Sequence, residues 1–376
     1  MIYREFQDLR LSNLGMGCMR LPVGAGGAAD VDLPQVREMV ACALEHGVNY
    51  FDTAWGYHGG SSEKALGEAL SAYPRERWYV ADKFPGYDLT NMPKAKEIFE
   101  EQLRRLRVDY FDFYLFHNVC ELNIDAYLDP KYGIFDYLIG QKRSGRIRHL
   151  GFSCHGELPV LKRFLDAYGQ DMEFCQLQLN FLDWTFQHGK EKVALLAERG
   201  IPVWVMEPLR GGKLVTLGAE DEAKLRALRP KESVAAWSFR FLQGIPEAKV
   251  ILSGMSNLDQ MKDNLRIFET DAPLDEAEAA ALGEIAERML SAKTLPCTGC
   301  RYCTEYCPQE LDIPYLLSLY NEHAFTGGGF IAPMALGALD REKWPSACLG
   351  CGSCEKVCPQ QLRISEAMAD FSARLG

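Results

Sequence analysis

Before residue 290 the chain alternates two kinds of hydrophobic pattern. Short runs rich in β-branched and aromatic residues read as strands: LGMGCMRL, VNYFDTA, WYVADKF, FDFYLFH, IRHLGFS, FCQLQLNF, PVWVME and KVILSG. Between them, apolar side chains recur at three- and four-residue spacing in stretches such as LPQVREMVACALEHG, PKAKEIFEEQLRRL and ESVAAWSFRFLQG, which read as helices. Eight strand candidates alternating with helices between residues 14 and 270 predict an α/β fold, a (β/α)8 TIM barrel. A doubly wound open sheet is the competing arrangement, but no G-x-G-x-x-G follows the first strand. The opening YREFQDLRLSNLG reads as a hairpin capping the barrel's base, and APLDEAEAAALGEIAERMLSAK as a helix beginning after Pro273. The pattern thus divides into a barrel over 1–270, a helical connector over 271–292 and a small, mainly helical domain over 293–376.

Composition narrows the function classes. Nearly half of the 376 residues are apolar, enough for a sizeable core, and the net charge of −11 argues against nucleic-acid or anionic-membrane partners. No apolar run reaches the roughly 18 residues of a membrane span. The N-terminus shows neither an uninterrupted apolar segment nor a cleavage site, so the expected location is cytoplasmic.

The 13 cysteines are unevenly spread. Cys18, Cys42, Cys120, Cys154 and Cys175 are scattered, whereas the rest fall in CTGCRYCTEYCP and CLGCGSCEKVCP, a distribution that points to metal rather than disulfides. Each phrase is C-x2-C-x2-C-x3-C-P, the bacterial [4Fe–4S] spacing, whose fourth cysteine crosses to the other cluster in two-cluster ferredoxins. By that rule Cys297, Cys300, Cys303 and Cys358 hold one cluster, and Cys348, Cys351, Cys354 and Cys307 the second. Structural zinc is the alternative, but it has no use for three cysteines two apart plus a fourth. The long segment between the phrases, with a helical stretch near Ile313–His323, makes the tail resemble helical ferredoxins.

In a (β/α)8 barrel, chemistry sits at the C-terminal strand ends. Asp52 and Tyr57 follow the second strand of the pattern, Lys83 ends the third and His117 the fourth. Taken singly, each has an ordinary reading as a turn cap, a loop aromatic or a surface residue. Together they make a proton donor for a carbonyl. A tyrosine pKa of about 10 is too high for an efficient acid at neutral pH. A nearby lysine ammonium stabilises the phenolate and is expected to lower that pKa, while an aspartate keeps the lysine charged and aimed.

FDTAWGYHGGSSEKALGEAL, ADKFP and DFYLFHNV resemble the signature segments of the aldo-keto reductases, with similarity running over roughly residues 1–270. The resemblance implies that Asp52, Tyr57, Lys83 and His117 are the catalytic tetrad and that NADP(H) or NAD(H) supplies hydride. It further implies that Ser153 and Gln176 hold the nicotinamide carboxamide and that Met206 lies against its ring. Leu209, Arg210, Gly211 and Lys213 would follow the pyrophosphate, and Gly254, Met255, Ser256, Gln260, Asp263 and Asn264 the adenosine side. Gln260 stands where relatives often carry an arginine for the 2′-phosphate. Trp55, His58, Asn118, His155, Phe181 and Trp184 are candidates for the pocket wall.

Nicotinamide passes two electrons as hydride, whereas a [4Fe–4S] cluster passes one, and the sequence has no recognisable flavin fingerprint. Three readings follow. In the first, the barrel turns over a small carbonyl or quinone-like substrate while the clusters carry electrons to or from a one-electron redox partner protein. In the second, a conventional NAD(P)H carbonyl reductase uses its clusters only for structure or docking. In the third, a ferredoxin-like carrier or redox sensor has a non-catalytic barrel.

Overall fold

The computed structural model describes residues 1–376, which form two compact units, Met1–Gly283 and Glu284–Gly376. The boundary falls inside a helix, Glu276–Ser291. No helix of the chain is long and apolar enough to cross a membrane.

The first unit opens with the antiparallel pair β1 (Tyr3–Phe6) and β2 (Leu9–Ser12). Eight parallel strands follow: β3 (Leu14–Gly17), β4 (Tyr50–Asp52), β5 (Tyr79–Phe84), β6 (Phe111–Val119), β7 (Ile147–Cys154), β8 (Cys175–Gln178), β9 (Val203–Met206) and β10 (Ala248–Ser253). β10 pairs with β3, so the sheet closes and the open-sheet alternative is excluded. Each of the eight strand-like runs overlaps one barrel strand, and β6, β7 and β10 extend slightly beyond their runs.

The strand period of two sorts the side chains. Along β5, Val80 and Phe84 pack outward on the helices, while Ala81 and Lys83 point into the barrel. Aromatic residues fill the lower interior: Phe113 lies 5.0 Å from Tyr50 and 5.3 Å from Phe174, centroid to centroid. Phe6, from the N-terminal hairpin, plugs the base with its ring 4.9 Å from Trp204. Closure leaves little room at the β3–β10 seam, where a Cβ on Gly15 would meet Leu252 Cδ2 at 2.7 Å. Helices begin where the sequence supplies caps. Asp32 accepts from the Gln35 N–H at the start of Leu33–Glu45, with proline in the first turn.

The second unit contains helices and turns and no strand. Helices Ile313–Thr326, Ile331–Leu336 and Ile364–Leu375 enclose a core of Leu316, Leu317, Leu336, Met368 and Phe371, joined by Cys303 and Cys354. The cysteine phrase is part of a longer repeat. CTGCRYCTEYCPQELDI and CLGCGSCEKVCPQQLRI match with a constant offset, 297 to 348 and 313 to 364. Their backbones match too: Gly299, Arg301 and Glu310 are left-handed, and so are their equivalents Gly350, Gly352 and Gln361. These left-handed residues curl each loop back toward its own cysteines.

Candidate functional site

At the C-terminal rim of the barrel, Lys83 has no exposed surface, and its ammonium is held on two sides. Nζ donates to Asp52 Oδ1 and to the Thr53 carbonyl, both at 2.6 Å. Asp52 Oδ2 accepts from Gln176 Nε2 at 3.1 Å, so both oxygens face N–H donors, the environment of an ionised carboxylate. Burial alone would push the lysine pKa down, but Asp52 and then Tyr57 more than restore it, and the ammonium stays charged.

Tyr57 reaches this pair from the loop after β4. Three consecutive left-handed residues, His58 (φ 53), Gly59 (φ 61) and Gly60 (φ 87), turn the chain sharply into helix Ser61–Leu70. His58 is held in that strained conformation through both ring nitrogens. Nε2 accepts from the Leu21 N–H (3.1 Å), and Nδ1 bonds the Ala28 carbonyl (2.7 Å). The turn sets the Tyr57 ring centre 5.1 Å from Lys83 Nζ and 6.2 Å from the His117 ring.

Burial raises the Tyr57 pKa to about 12, with Lys83 the largest influence pulling it back down. The net lowering expected from sequence is therefore not met, because desolvation outweighs the ammonium. The phenol stays a full proton donor at neutral pH. His117 is held neutral, first by burial and then by the positive charge of Lys83, and its Nδ1 is buried without a partner. His155 beside it is neutral as well, its pKa lowered to about 4 by burial and by Lys192.

The structure brings the four tetrad candidates together with Gln176 and Ser153, whose Oγ accepts from the Asn118 N–H at 2.7 Å. Met206 and Leu209 are half-buried at the end of β9, and Gly211, Lys213, Gly254 and Gln260 are exposed on the loops after β9 and β10. Gln260 folds back, its Oε1 accepting from the Ser256 N–H at 2.8 Å.

The structure places the remaining candidates as follows. Arg210 turns inward and binds buried Asp183 through Nε at 3.1 Å, away from the loop surface. Asn264 is buried on Ser253 Oγ, Met255 is core, and Asp263 accepts from Ser233 Oγ. His58 is taken up by the backbone, as above. Trp184 packs edge-on to Phe241, and Trp55 lies under the Arg105 guanidinium, 3.8 Å from its carbon.

Three residues were missed by sequence. Tyr87, four positions past Lys83, sets its ring edge 5.1 Å from His117, and its hydroxyl would lie 2.4 Å from a Cβ on Gly56. Asp82 and Glu63 form a buried acid pair on the helix side of β5. Asp82 Oδ1 accepts from the Lys83 N–H, and Glu63 Oε2 takes Arg105 Nη1 at 2.7 Å. The remaining oxygens, Asp82 Oδ2 and Glu63 Oε1, are buried without a donor. Burial first, then Glu63, holds the Asp82 carboxyl well above its usual range, and burial raises Glu63 as well. The pair retains a proton that two separated carboxylates would release.

In the second unit, two cavities are lined by cysteines. One, of about 310 Å³, takes Cys297, Cys300 and Cys303 from the first phrase and Cys358 from the second. The other, of about 350 Å³, takes Cys348, Cys351 and Cys354 from the second phrase and Cys307 from the first. Ile364 lies in the wall of both. No three His, Cys, Asp or Glu side chains converge tightly enough to hold a single ion. Leu311 directs its N–H at Cys307 Sγ (3.5 Å). The donor sets and linings fit [4Fe–4S] clusters. In the barrel, burial raises Cys120 to about 11 and Cys154 to about 12.

The aldo/keto reductase family profile matches residues 13–287, and a 4Fe-4S dicluster domain profile matches residues 296–362. Among curated proteins, the NADH-specific methylglyoxal reductase of Escherichia coli (strain K12) is 25% identical over 325 residues, spanning 75% of this chain and 97% of that protein. Among solved structures, an aldo-keto reductase of Bacillus halodurans in its holo form superposes with a TM-score of 0.62 at 25% identity, covering 76% of this chain and 96% of that one. An aldo-keto reductase of Klebsiella pneumoniae, in complex with NADPH, shares the fold with a TM-score of 0.60 at 17% identity, covering 76% and 96%.

Two outcomes follow from this geometry. A carboxyl pair with raised pKa values binds more protons folded than unfolded, so its contribution to stability falls as pH rises above the unfolded value of about 4. Asp82→Asn keeps the acceptor for the Lys83 N–H and gives Glu63 an amide donor. Urea midpoints measured at pH 5 and pH 8 should therefore lie closer together in the variant than in the wild type. For the crossed cysteine sets, Cys300→Ala and Cys358→Ala should abolish the same EPR signal although they belong to different phrases, while Cys351→Ala should abolish the other.

Proposed function

Because this chain belongs to the aldo/keto reductase family and carries a 4Fe-4S dicluster domain, we propose that it is a NAD(P)H-dependent oxidoreductase reducing a small carbonyl or quinone-like substrate, with its clusters exchanging electrons with a partner. The observation that carries the reading is the buried Lys83–Asp52 pair beside the Tyr57 phenol.

Tyr57 is the general acid, giving its proton to the carbonyl oxygen as negative charge develops there. Lys83 stabilises the phenolate left behind, in a site where burial strengthens every charge–charge interaction. Asp52, steadied by Gln176, keeps the ammonium charged and aimed at the ring. Neutral His117 orients the carbonyl without adding a second positive charge, and Tyr87 walls the far side of its ring. Ser153 and Gln176, at adjacent strand ends in register, face the rim where the carboxamide is expected. A bound nicotinamide supplies hydride chemistry at this rim.

The dinucleotide is NADP(H) or NAD(H). Relatives include one protein named NADH-specific and one structure described with NADPH, and Gln260 is engaged with the Ser256 N–H rather than replaced by an arginine. Two [4Fe–4S] clusters occupy the two cysteine cavities and supply one-electron chemistry. A quinone-like substrate, which takes electrons singly or in pairs, reconciles the two halves. The protein is cytoplasmic in this reading.

Tyr57→Phe should lower carbonyl reduction about 10²–10⁴-fold while leaving the dissociation constant for NAD(P)H unchanged, as steady-state rates and fluorescence titration would show. The role of the clusters is decided anaerobically. Cluster-replete protein given NADPH or NADH with a quinone panel should develop the reduced-cluster EPR signal during turnover. Nicotinamide oxidation with silent clusters would instead make the tail structural or a docking module.

A further inference from the structure

A cation that the family resemblance does not assign stands between the two loops reserved for the nucleotide. Arg20 closes the short turn Cys18–Arg20 after β3 and is exposed. Its carbonyl oxygen accepts from Ser256 Oγ at 2.9 Å, which ties it to the loop after β10. Its stem lies along Gly254, where an added Cβ would sit 3.2 Å from Cδ and 3.3 Å from Cβ and Cγ. Its guanidinium extends to Gly211 on the loop after β9, where an added Cβ would be 2.9 Å from Nη2. Two glycines on separate loops thus form the bed in which this one side chain lies. Gly211 is also left-handed (φ 66), so a side chain there would be strained as well as crowded.

The charge of this side chain is not used within the protein. Glu207 Oε2 approaches the same point at Gly211, 3.8 Å from the added Cβ, yet Arg20 closes no ion pair with it or with any other carboxylate. Arg210, the arginine assigned to the pyrophosphate by resemblance, is buried on Asp183 and points away. The loops after β9 and β10 therefore keep their glycines but lose that arginine, and a different arginine reaches in from the loop after β3.

We propose that Arg20 is the cation that binds the pyrophosphate of the dinucleotide, bridging the Gly211 and Gly254 loops. The assignment rests on the nucleotide-binding reading above. A planar guanidinium matches the paired oxygens of a diphosphate, and a stem already laid along Gly254 has less freedom to lose on binding. Because the pyrophosphate is common to both nicotinamide dinucleotides, Arg20 contributes to affinity without choosing between them.

The test is a fluorescence titration of the full-length, cluster-replete protein with NADH and with NADPH, for the wild type, Arg20→Gln and Arg20→Lys. Arg20→Gln should weaken both nucleotides by the same factor, about ten-fold, and flatten the dependence of binding on salt. Arg20→Lys keeps the charge without the fork and should fall between. Equal binding by wild type and Arg20→Gln would overturn the assignment. So would a loss confined to NADPH, which would place Arg20 on the 2′-phosphate. A wild type that binds neither nucleotide would overturn the nucleotide-binding reading itself, and this inference with it. An unchanged thermal midpoint in Arg20→Gln is the expected control, because the side chain is exposed.

Discussion

Everything at the barrel rim depends on an ammonium group placed where water cannot reach it. A lone charge in such a place costs several kcal/mol, and a barrel tolerates it only when partners are fixed around it. Here the partners come from two strands. Asp52 and Thr53 lie at and just beyond the end of β4 and bond the ammonium directly, while Gln176 on β8 holds the far oxygen of Asp52. Because those strands are locked in register by the closed sheet, the charge cannot relax toward solvent. Burial, and then the field of that charge, keeps His117 neutral, and the same field is the strongest force drawing the Tyr57 proton toward release. The outer side of β5 is loaded as well, since the strand that delivers Lys83 inward delivers Asp82 outward into the shared acid pair with Glu63.

How much of this could be read from the chain varies with the kind of constraint. The strand period and the helix period are dictated by the backbone, so each barrel strand overlaps the run that predicted it, with ends that differ by at most a few residues. The tetrad was legible for a related reason: residues at the ends of barrel strands have their direction set by the sheet. Long side chains on loops have no such rule. Arg210 and Arg20 are both candidates to reach a nucleotide, and only the buried carboxylate of Asp183 decides that the first turns inward. Trp184 and His58 follow the same pattern. Each had a partner, Phe241 for one and two backbone groups for the other, that sequence proximity does not reveal. The Tyr57 pKa was misjudged in net direction because charge is visible in a sequence and burial is not.

The cysteine tail shows a different balance. Spacing alone specified which thiols belong together, and the two cavities collect those sets across the phrases. What spacing did not reveal is how far the repeat extends beyond the cysteines. The left-handed positions recur, as do the leucine and isoleucine that follow each fourth cysteine. Where the equivalents differ, Thr298 and Arg301 line one cavity and Leu349 and Gly352 the other, so two sites built on one backbone plan have unlike surroundings.

The exchange of the last thiol between the repeats also shapes how such a tail is assembled. Three thiols from one repeat cannot complete a site until the other repeat arrives with its own fourth, so neither half is self-sufficient. Once either site is filled, the two repeats are tied together, and the ring of chain still to be closed for the remaining site becomes shorter. The second loading then starts from a preassembled partner. If two clusters fill these cavities as proposed above, loading one would favour loading the other, like two bolts on one bar.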